Sequence, residues 1–395
     1  MRKDRSDGAA PGRGVLLCVA NFPSGTGFAW EFIESLFAAT ADFMWSRGRA
    51  TLVAYPALPV DPKALAGSAA RPVEFAFSVG TLGGIWRSCR FVREQNVRIL
   101  YLIDHPSSHV AFVALRLSGV RRIVVHDHTS GERVKPGGLK RLAKWLFARI
   151  PAVTADRVLA VSDFVARRKL TVDLVPRNRV QRIWNAVPDT YFVERPETNA
   201  REEFGACTDQ ELILCACRAH EVKGVQHLLR AFDLLMQTYS RTPPLLVYVG
   251  DGPYLPELLA LRETLAAKEH VRFAGKRSDA PSLAGTADLV VVPSIWQEAF
   301  GLAALEAMAR GVPVIASAVG GLLEIVKDGI TGMLVPPGDE AALAEALETL
   351  LSDPVKRRQI GLRARQHLAR DFSRSRQIAA LNLVFAGIDA EASRH

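Results

Sequence analysis

Cysteine is scarce in this chain and unpatterned. Five thiols occur in 395 residues, at Cys18, Cys89, Cys207, Cys215 and Cys217. None stands at metal-ligand spacing with a histidine, so neither a disulfide framework nor a zinc module is indicated. Cys215 and Cys217 alternate within an apolar run, which predicts buried thiols on one face of a strand in a reducing cytoplasm. Long apolar runs are also missing. No stretch reaches the roughly 18 uncharged apolar residues that a membrane-spanning helix needs. Residues 1–14 are polar and charged, without the apolar centre of a secretory leader. Internal repeats, low-complexity tracts and nucleic-acid-binding motifs are absent, so nucleic acid is not an expected partner. The glycines of Gly25-Thr26-Gly27 fall short of the full dinucleotide fingerprint, and no acidic partner follows the second strand. That disfavours a nicotinamide dehydrogenase.

Hydrophobic residues make up 49% and charged residues 23%, the composition of a globular protein. The length exceeds what one ordinary core organises, so two domains are expected. Charge is unevenly spread. Residues 1–195 hold 29 Lys and Arg against 16 Asp and Glu, a balance of +13; residues 196–395 hold 21 against 25, a balance of −4. A basic first half suits anionic lipid or a pyrophosphate-bearing acceptor, and nucleic acid least.

Apolar runs at 14–19, 50–54, 99–103, 122–125, 212–216, 245–249, 289–292 and 312–316 alternate with helix-like segments. Runs without polar alternation fit strands covered on both faces, and strands alternating with helices imply doubly wound parallel sheets. Pro188, Pro196 and a polar cluster mark a boundary. The expected organisation is a polar tail over 1–13, an α/β domain over 14–190, a linker over 191–201 and a second α/β domain over 202–372. Helical spacing of Ile378, Leu381, Phe385 and Ile388 predicts a last helix within 372–388, and residues 373–395 are expected to complete the first domain.

The densest chemistry lies in Pro293-Ser-Ile-Trp-Gln-Glu298-Ala-Phe300-Gly301-Leu302-Ala-Ala-Leu-Glu306. Glu298 falls in a strand-to-helix loop and Glu306 about one turn into the helix that Gly311 stops. Ligands of open parallel sheets bind outside the carboxyl ends of the strands. Two carboxylates there suit a ligand rich in hydroxyls, because carboxylates only accept hydrogen bonds. Arg218 and Lys223 follow the strand ending near Cys217 and precede a helical run, so two cations and a helix N-terminus make an anion site. The backbone N–H groups of Phe300, Gly301 and Leu302 open a helix as well. Gly320-Gly321, before Leu322-Leu-Glu324, reads as a phosphate turn or as an ordinary strand-to-helix turn. Residues 131–149 carry Arg133, Lys135, Lys140, Arg141, Lys144 and Arg149 beside Leu139, Leu142, Trp145, Leu146 and Phe147. This basic amphipathic segment reads either as a helix lying on an anionic membrane or as a core-packing helix with a solvated face.

The Glu298–Glu306 stretch resembles the E-x7-E motif of retaining glycosyltransferases of family 4. Asn185-Ala-Val-Pro-Asp-Thr-Tyr-Phe192, Arg218-Ala-His-Glu-Val-Lys-Gly224, Gly250-Asp-Gly-Pro253, Val271-Arg-Phe-Ala-Gly275 and Ala318-Val-Gly-Gly-Leu-Leu-Glu324 resemble further family segments in the expected order. The likeness is dense over 161–337 and thin before. It implies a GT-B architecture, two Rossmann-like domains facing across a cleft. It further implies that Arg218 and Lys223 hold the donor diphosphate, that Glu306 binds ribose hydroxyls and that Glu298 holds the transferred sugar. A family histidine follows a first-domain strand; in His126-Asp-His-Thr-Ser-Gly131, His128 fits the His-Thr spacing and His126 is the alternative. The family usually carries a glycine-rich turn where Gly25 and Gly27 stand, which adds them as donor contacts.

The resemblance implies a nucleotide-sugar donor and a glycan, lipid-linked or small-molecule acceptor. No cofactor or metal is expected, and no Asp-x-Asp occupies a strand end. A cytoplasmic enzyme, free or peripheral at the inner face of the membrane, is implied. A sugar-nucleotide epimerase of the same architecture and a non-catalytic binding module are the rival readings.

Overall fold

The computed structural model describes residues 13–25, 28–193, 196–207 and 209–393. The chain divides into two units. Unit 1 comprises residues up to 129, 133–183 and 377 onward; unit 2 comprises 130–132 and 184–376. The division at Ile183/Trp184 falls before the segment 191–201 that its prolines suggested as linker. Trp184 already belongs to unit 2, because its Nε1–H donates to Glu324 at 3.0 Å and its ring packs on Phe372.

Unit 1 runs β1 (Val15–Val19), α1 (Phe28–Ser46), β2 (Thr51–Tyr55), β3 (Ala70–Glu74), α2 (Leu82–Glu94), β4 (Val97–Ile103), α3 (Ala111–Leu117), β5 (Arg122–Asp127), α4 (Gly138–Phe147), β6 (Arg157–Ala160), α5 (Asp163–Thr171) and β7 (Val180–Arg182). Its sheet has the order β3-β2-β1-β4-β5-β6-β7 and its strand pairs are all parallel. The central strands are Leu-, Val- and Ile-rich and buried along their length, as a sheet covered on both faces requires. Ser162 Oγ accepts the Val165 N–H and starts α5.

Unit 2 runs α6 (Ala200–Phe204), β8 (Leu212–Ala216), α7 (Val225–Thr238), β9 (Leu245–Val249), α8 (Leu255–Thr264), β10 (Val271–Phe273), α9 (Ala280–Ala284), β11 (Leu289–Val292), α10 (Leu302–Ala309), β12 (Val314–Ser317), α11 (Leu322–Ile325), β13 (Met333–Val335), α12 (Glu340–Ser352) and α13 (Pro354–Asp371). Its order is β10-β9-β8-β11-β12-β13, again parallel. In each sheet the direction of winding reverses once, between β1 and β4 and between β8 and β11. Such switch points open a crevice at the strand C-termini.

The last helix, α14 (Arg374–Ser393), begins just after the expected Phe372, which instead caps α13. Leu381, Phe385 and Ile388 of α14 are fully buried with Phe37 and Tyr101 in the unit 1 core. Buried Arg49 meets Asp389 at 2.5 Å and fixes the helix end. The amphipathic segment is helical only over α4, shorter than 131–149, because Pro136 and the Gly137-Gly138 pair delay its start. No residue of α4 is buried, so the core-packing reading does not describe it. Cys215 is buried as expected, but Cys217 is half-buried and Cys207 exposed, since both lie beyond the ends of strands. Among the described residues no helix is long and apolar enough to cross a membrane.

Candidate active site

The switch point of unit 2 gathers loops that are distant in sequence. After β8 the chain passes Arg218 and makes one 3₁₀ turn, Glu221–Lys223, before Gly224 opens α7. Gly224 has φ +70°, and a β-carbon there would collide with the Pro293 carbonyl; glycine lets the β8 loop lie against the β11 loop. The Ile295 N–H donates to the Val222 carbonyl at 3.0 Å and locks the two loops together.

This contact delivers Lys223 to Glu298. Lys223 Nζ lies 2.6 Å from Glu298 Oε1, and Ser294 Oγ donates to the same oxygen at 2.5 Å. Burial favours a neutral lysine, but the Glu298 carboxylate outweighs it and holds the ammonium above its ordinary pKa. Sequence reasoning assigned these two side chains to separate parts of a ligand. The structure pairs them, and no spacing could have shown that.

Other polar groups of unit 2 lack a protein partner. Arg218 is exposed and makes no ion pair with any described residue. Glu306 is buried and makes no hydrogen bond among the described residues. Burial pushes its carboxyl up to about 8, with Arg310 opposing. Nor do the N–H groups of Phe300, Gly301 and Leu302 at the start of α10 donate to a described residue. Gly301 has φ +111°, and a β-carbon would strike Leu322.

Gly320 and Gly321 are arranged differently from a phosphate turn. Their N–H groups are occupied, Gly320 by Gln297 Oε1 at 2.7 Å and Gly321 by the Glu298 carbonyl at 2.9 Å. A β-carbon on either would run into the backbone of residues 298–300. These glycines allow close packing beneath Glu298.

In unit 1, β4 and β5 end side by side. Asp104 adopts φ +56°, a conformation that aspartate tolerates, and its N–H donates to the His126 carbonyl at 2.9 Å. Its Oδ1 accepts the His128 N–H at 2.6 Å. Burial pushes the Asp104 carboxyl up to about 7. His126 is fully buried and bonded through Nδ1 to the Tyr101 hydroxyl at 2.8 Å. His128 is half-buried, with no partner for Nε2, and burial pulls its imidazole down to about 4. Nε2 of each ring is buried without a partner, and His128 is the less buried residue of the two. Gly25 has φ +74° in the turn after β1, where a β-carbon would strike Val60; Gly27 lies outside the described residues.

Beside His128 lies a charged network that the sequence did not announce. Asp127 meets Lys169 at 2.6 Å and Arg168 at 3.2 Å, and accepts from Thr129 N and Oγ1. The cations outweigh burial and hold its carboxyl low. Lys169 also meets Asp173 at 3.0 Å. A cavity of about 330 Å³ opens next to this network, with Asp104, Ser107, Ser108, Thr129, Lys144 and Asp173 in its walls. Among the described residues no cluster of three or more His, Cys, Asp or Glu side chains is set to hold a metal ion.

Two parallel-sheet, Rossmann-like units define a doubly wound α/β architecture, and comparison with known proteins narrows the class. The family described as Glycosyl transferases group 1 matches residues 196–367, and Glycosyltransferase Family 4 matches 46–191. A relative from Bacillus anthracis, N-acetyl-alpha-D-glucosaminyl L-malate synthase, is 31% identical over 74% of this chain and 75% of its own. A glycosyltransferase structure from Rickettsia africae superposes with a TM-score of 0.78 at 20% identity, over 95% of this chain and 98% of the other. An Anabaena protein crystallised with UDP-glucose, HepE, gives 0.72 at 20% identity over 94% and 98%. The chain belongs to glycosyltransferase family 4, and it is a glycosyltransferase of the GT-B fold.

Proposed function

We propose that this glycosyltransferase is a retaining enzyme that moves a sugar from a nucleotide-diphosphate sugar to an acceptor hydroxyl, in glycan, glycolipid or glycosylated-metabolite synthesis. The observation that carries the reading is the satisfied Lys223–Glu298 pair in a unit where Arg218, Glu306 and three helix-opening N–H groups make no hydrogen bond or ion pair with a described residue. Buried polar groups are normally paired, so the unbonded carboxyl of Glu306 and the unbonded N–H groups at the start of α10 ask for a ligand, and the exposed Arg218 is free to meet it. The relative named for a glucosaminyl transfer to malate and the UDP-glucose complex of the structural neighbour support a donor of this kind.

Unit 2 takes the donor. Glu306 accepts hydrogen bonds from ribose hydroxyls, and Glu298 holds a hydroxyl of the transferred sugar. Arg218, Lys223 and the N–H groups of Phe300, Gly301 and Leu302 receive the diphosphate. As the bond from the anomeric carbon to the diphosphate oxygen breaks, negative charge grows on that oxygen. Fixed cations and dipoles stabilise the transition state more than the ground state, and do the work that a metal ion does elsewhere. The acceptor oxygen bonds to the same face of the anomeric carbon, and its proton passes to the departing diphosphate. Glu298, already tied to Lys223 and Ser294, is poorly disposed to act as a nucleophile. Unit 1 supplies the acceptor site, where neutral His128 offers Nε2.

The test is a thermal-shift panel of nucleotide sugars followed by transfer of labelled sugar. A raised midpoint and a glycosylated product with the anomeric configuration of the donor are expected. Nucleotide-sugar binding with an isomerised donor and no glycosylated product would favour the epimerase instead; no binding would favour the non-catalytic module.

A further inference from the structure

α4 turns apolar side chains to solvent. Leu139, Leu142, Trp145 and Leu146 are 84%, 53%, 41% and 53% exposed. Leu139, Leu142 and Leu146 stand at i, i+3 and i+7 and form one stripe. An uncovered apolar stripe marks an interaction surface, since folding leaves large patches bare only where something else covers them. Its flanks are cationic. Residues 131–150 contain six Lys or Arg and one acid, Glu132. Lys135, Lys140 and Arg141 have no ion-pair partner among the described residues. The Arg149 guanidinium lies 3.7 Å from the Trp145 ring, the pairing of cation and aromatic that suits a polar–apolar boundary.

The same helix walls the unit 1 cavity through Lys144 and Phe147, joined by the capping residue Ala148. That cavity is lined by hydroxyl, carboxyl and cationic side chains with Phe147 and Pro106 among them, groups that can meet a polyhydroxyl ring, and its volume of about 330 Å³ suits a ring-sized headgroup. A pocket carrying charged and hydroxyl groups and a bare apolar stripe are thus two sides of one helix. An acceptor that is polar at one end and apolar at the other satisfies both.

We propose that α4 docks on an anionic lipid bilayer and that the acceptor is a membrane lipid whose hydroxyl-bearing headgroup enters this cavity. The acceptor part rests on the transferase reading above; the docking part does not. Apolar insertion and cation attraction act together, and a soluble acceptor gives the stripe no purpose.

The full chain is sedimented with vesicles of phosphatidylcholine and with vesicles doped with phosphatidylglycerol. Binding to the doped vesicles only, weakening as salt rises, is expected. The exposed pair Leu142→Glu/Leu146→Glu should lower partitioning at least about tenfold, and Lys140→Ala/Arg141→Ala about tenfold, both with unchanged melting. In the second arm, labelled nucleotide sugar is supplied with a polar lipid extract. Label should enter the organic phase, and Leu142→Glu/Leu146→Glu should reduce its transfer to vesicle-borne lipid about tenfold while leaving transfer to detergent-dispersed lipid unchanged. Vesicle binding that is absent, or equal in wild type and Leu142→Glu/Leu146→Glu, overturns the docking. Label found only in water-soluble product overturns the lipid acceptor. If the transferase reading itself fails, nucleotide-sugar binding is missing in every variant while sedimentation is unaffected.

Discussion

Asp127 in unit 1 and Glu298 in unit 2 are both acids at strand ends, and both meet a lysine at 2.6 Å. Their surroundings differ in completeness. Asp127 also meets Arg168 and both donors of Thr129, and Lys169 and Arg168 are themselves buried. In unit 2, Lys223 is partly exposed, and Arg218 and Glu306 have no partner among the described residues. A closed network fixes structure; a network with open valences is shaped for something that arrives later.

Four substitutions break or sharpen that contrast. The largest effect is expected for Lys223→Ala. Turnover should fall about 10²- to 10⁴-fold with donor affinity much less changed, because the cation acts on charge that appears only in the transition state. Steady-state kinetics check this; an equal loss in affinity and none in kcat would make Lys223 a simple anchor. Its melting point should stay within a few degrees of wild type.

Lys169→Ala should do the opposite. It leaves Asp127 buried with less compensation, at a cost of about 3 kcal/mol or more in stability. Denaturant unfolding measures it. Nucleotide binding, tested below the onset of unfolding, should be retained.

Glu306→Gln ranks next. Burial pushes the folded carboxyl up to about 8, against 4.5 in the unfolded chain. Burial therefore costs wild type nothing below the lower value, and stability is lost progressively as pH rises through the higher one. The variant escapes this loss and should be more stable by about 2–4 kcal/mol at pH 8, with no advantage at pH 4. Above pH 8, where the wild-type carboxyl is ionised, the variant's nucleotide affinity should drop about tenfold, the value of one charge-assisted hydrogen bond. Thermal melts across pH, with calorimetric titration of nucleotide, decide both points.

Gly320→Ala should have the smallest effect, about 1–3 kcal/mol of destabilisation from φ +51° and the clash with Glu298 backbone. A variant of normal stability would show that the β11 loop can move aside.

The fold was legible where apolar runs were continuous. β8 and β9 occupy the same residues as the runs at 212–216 and 245–249. Edge strands are less visible. β3 carries Pro72 and no fully buried residue, and β7 has only three residues, with Gln181 and Arg182 exposed. Half-solvated edges need no hydrophobic run and tolerate proline. In the site, motif spacing placed Lys223, Glu298, Gly320 and Gly321 at strand ends, and the structure brings all four together. It did not reveal the Lys223–Glu298 pair or the occupied N–H groups of Gly320 and Gly321, because those depend on how two loops pack. The unit 1 network was invisible because Arg168 and Lys169 lie on α5, outside any motif, and their meeting with Asp127 depends on how that helix packs.

The central claim is that the open groups of unit 2 receive a nucleotide sugar. The most direct test is the thermal midpoint of wild type and of Arg218→Ala/Glu306→Gln, each with and without a panel of nucleotide sugars. At about 100 times its Kd, a ligand adds about 2.7 kcal/mol, so at least one nucleotide sugar should raise the wild-type midpoint by several degrees and leave the double variant where it was. No shift with any nucleotide sugar, or a full shift retained in the double variant, would contradict the account.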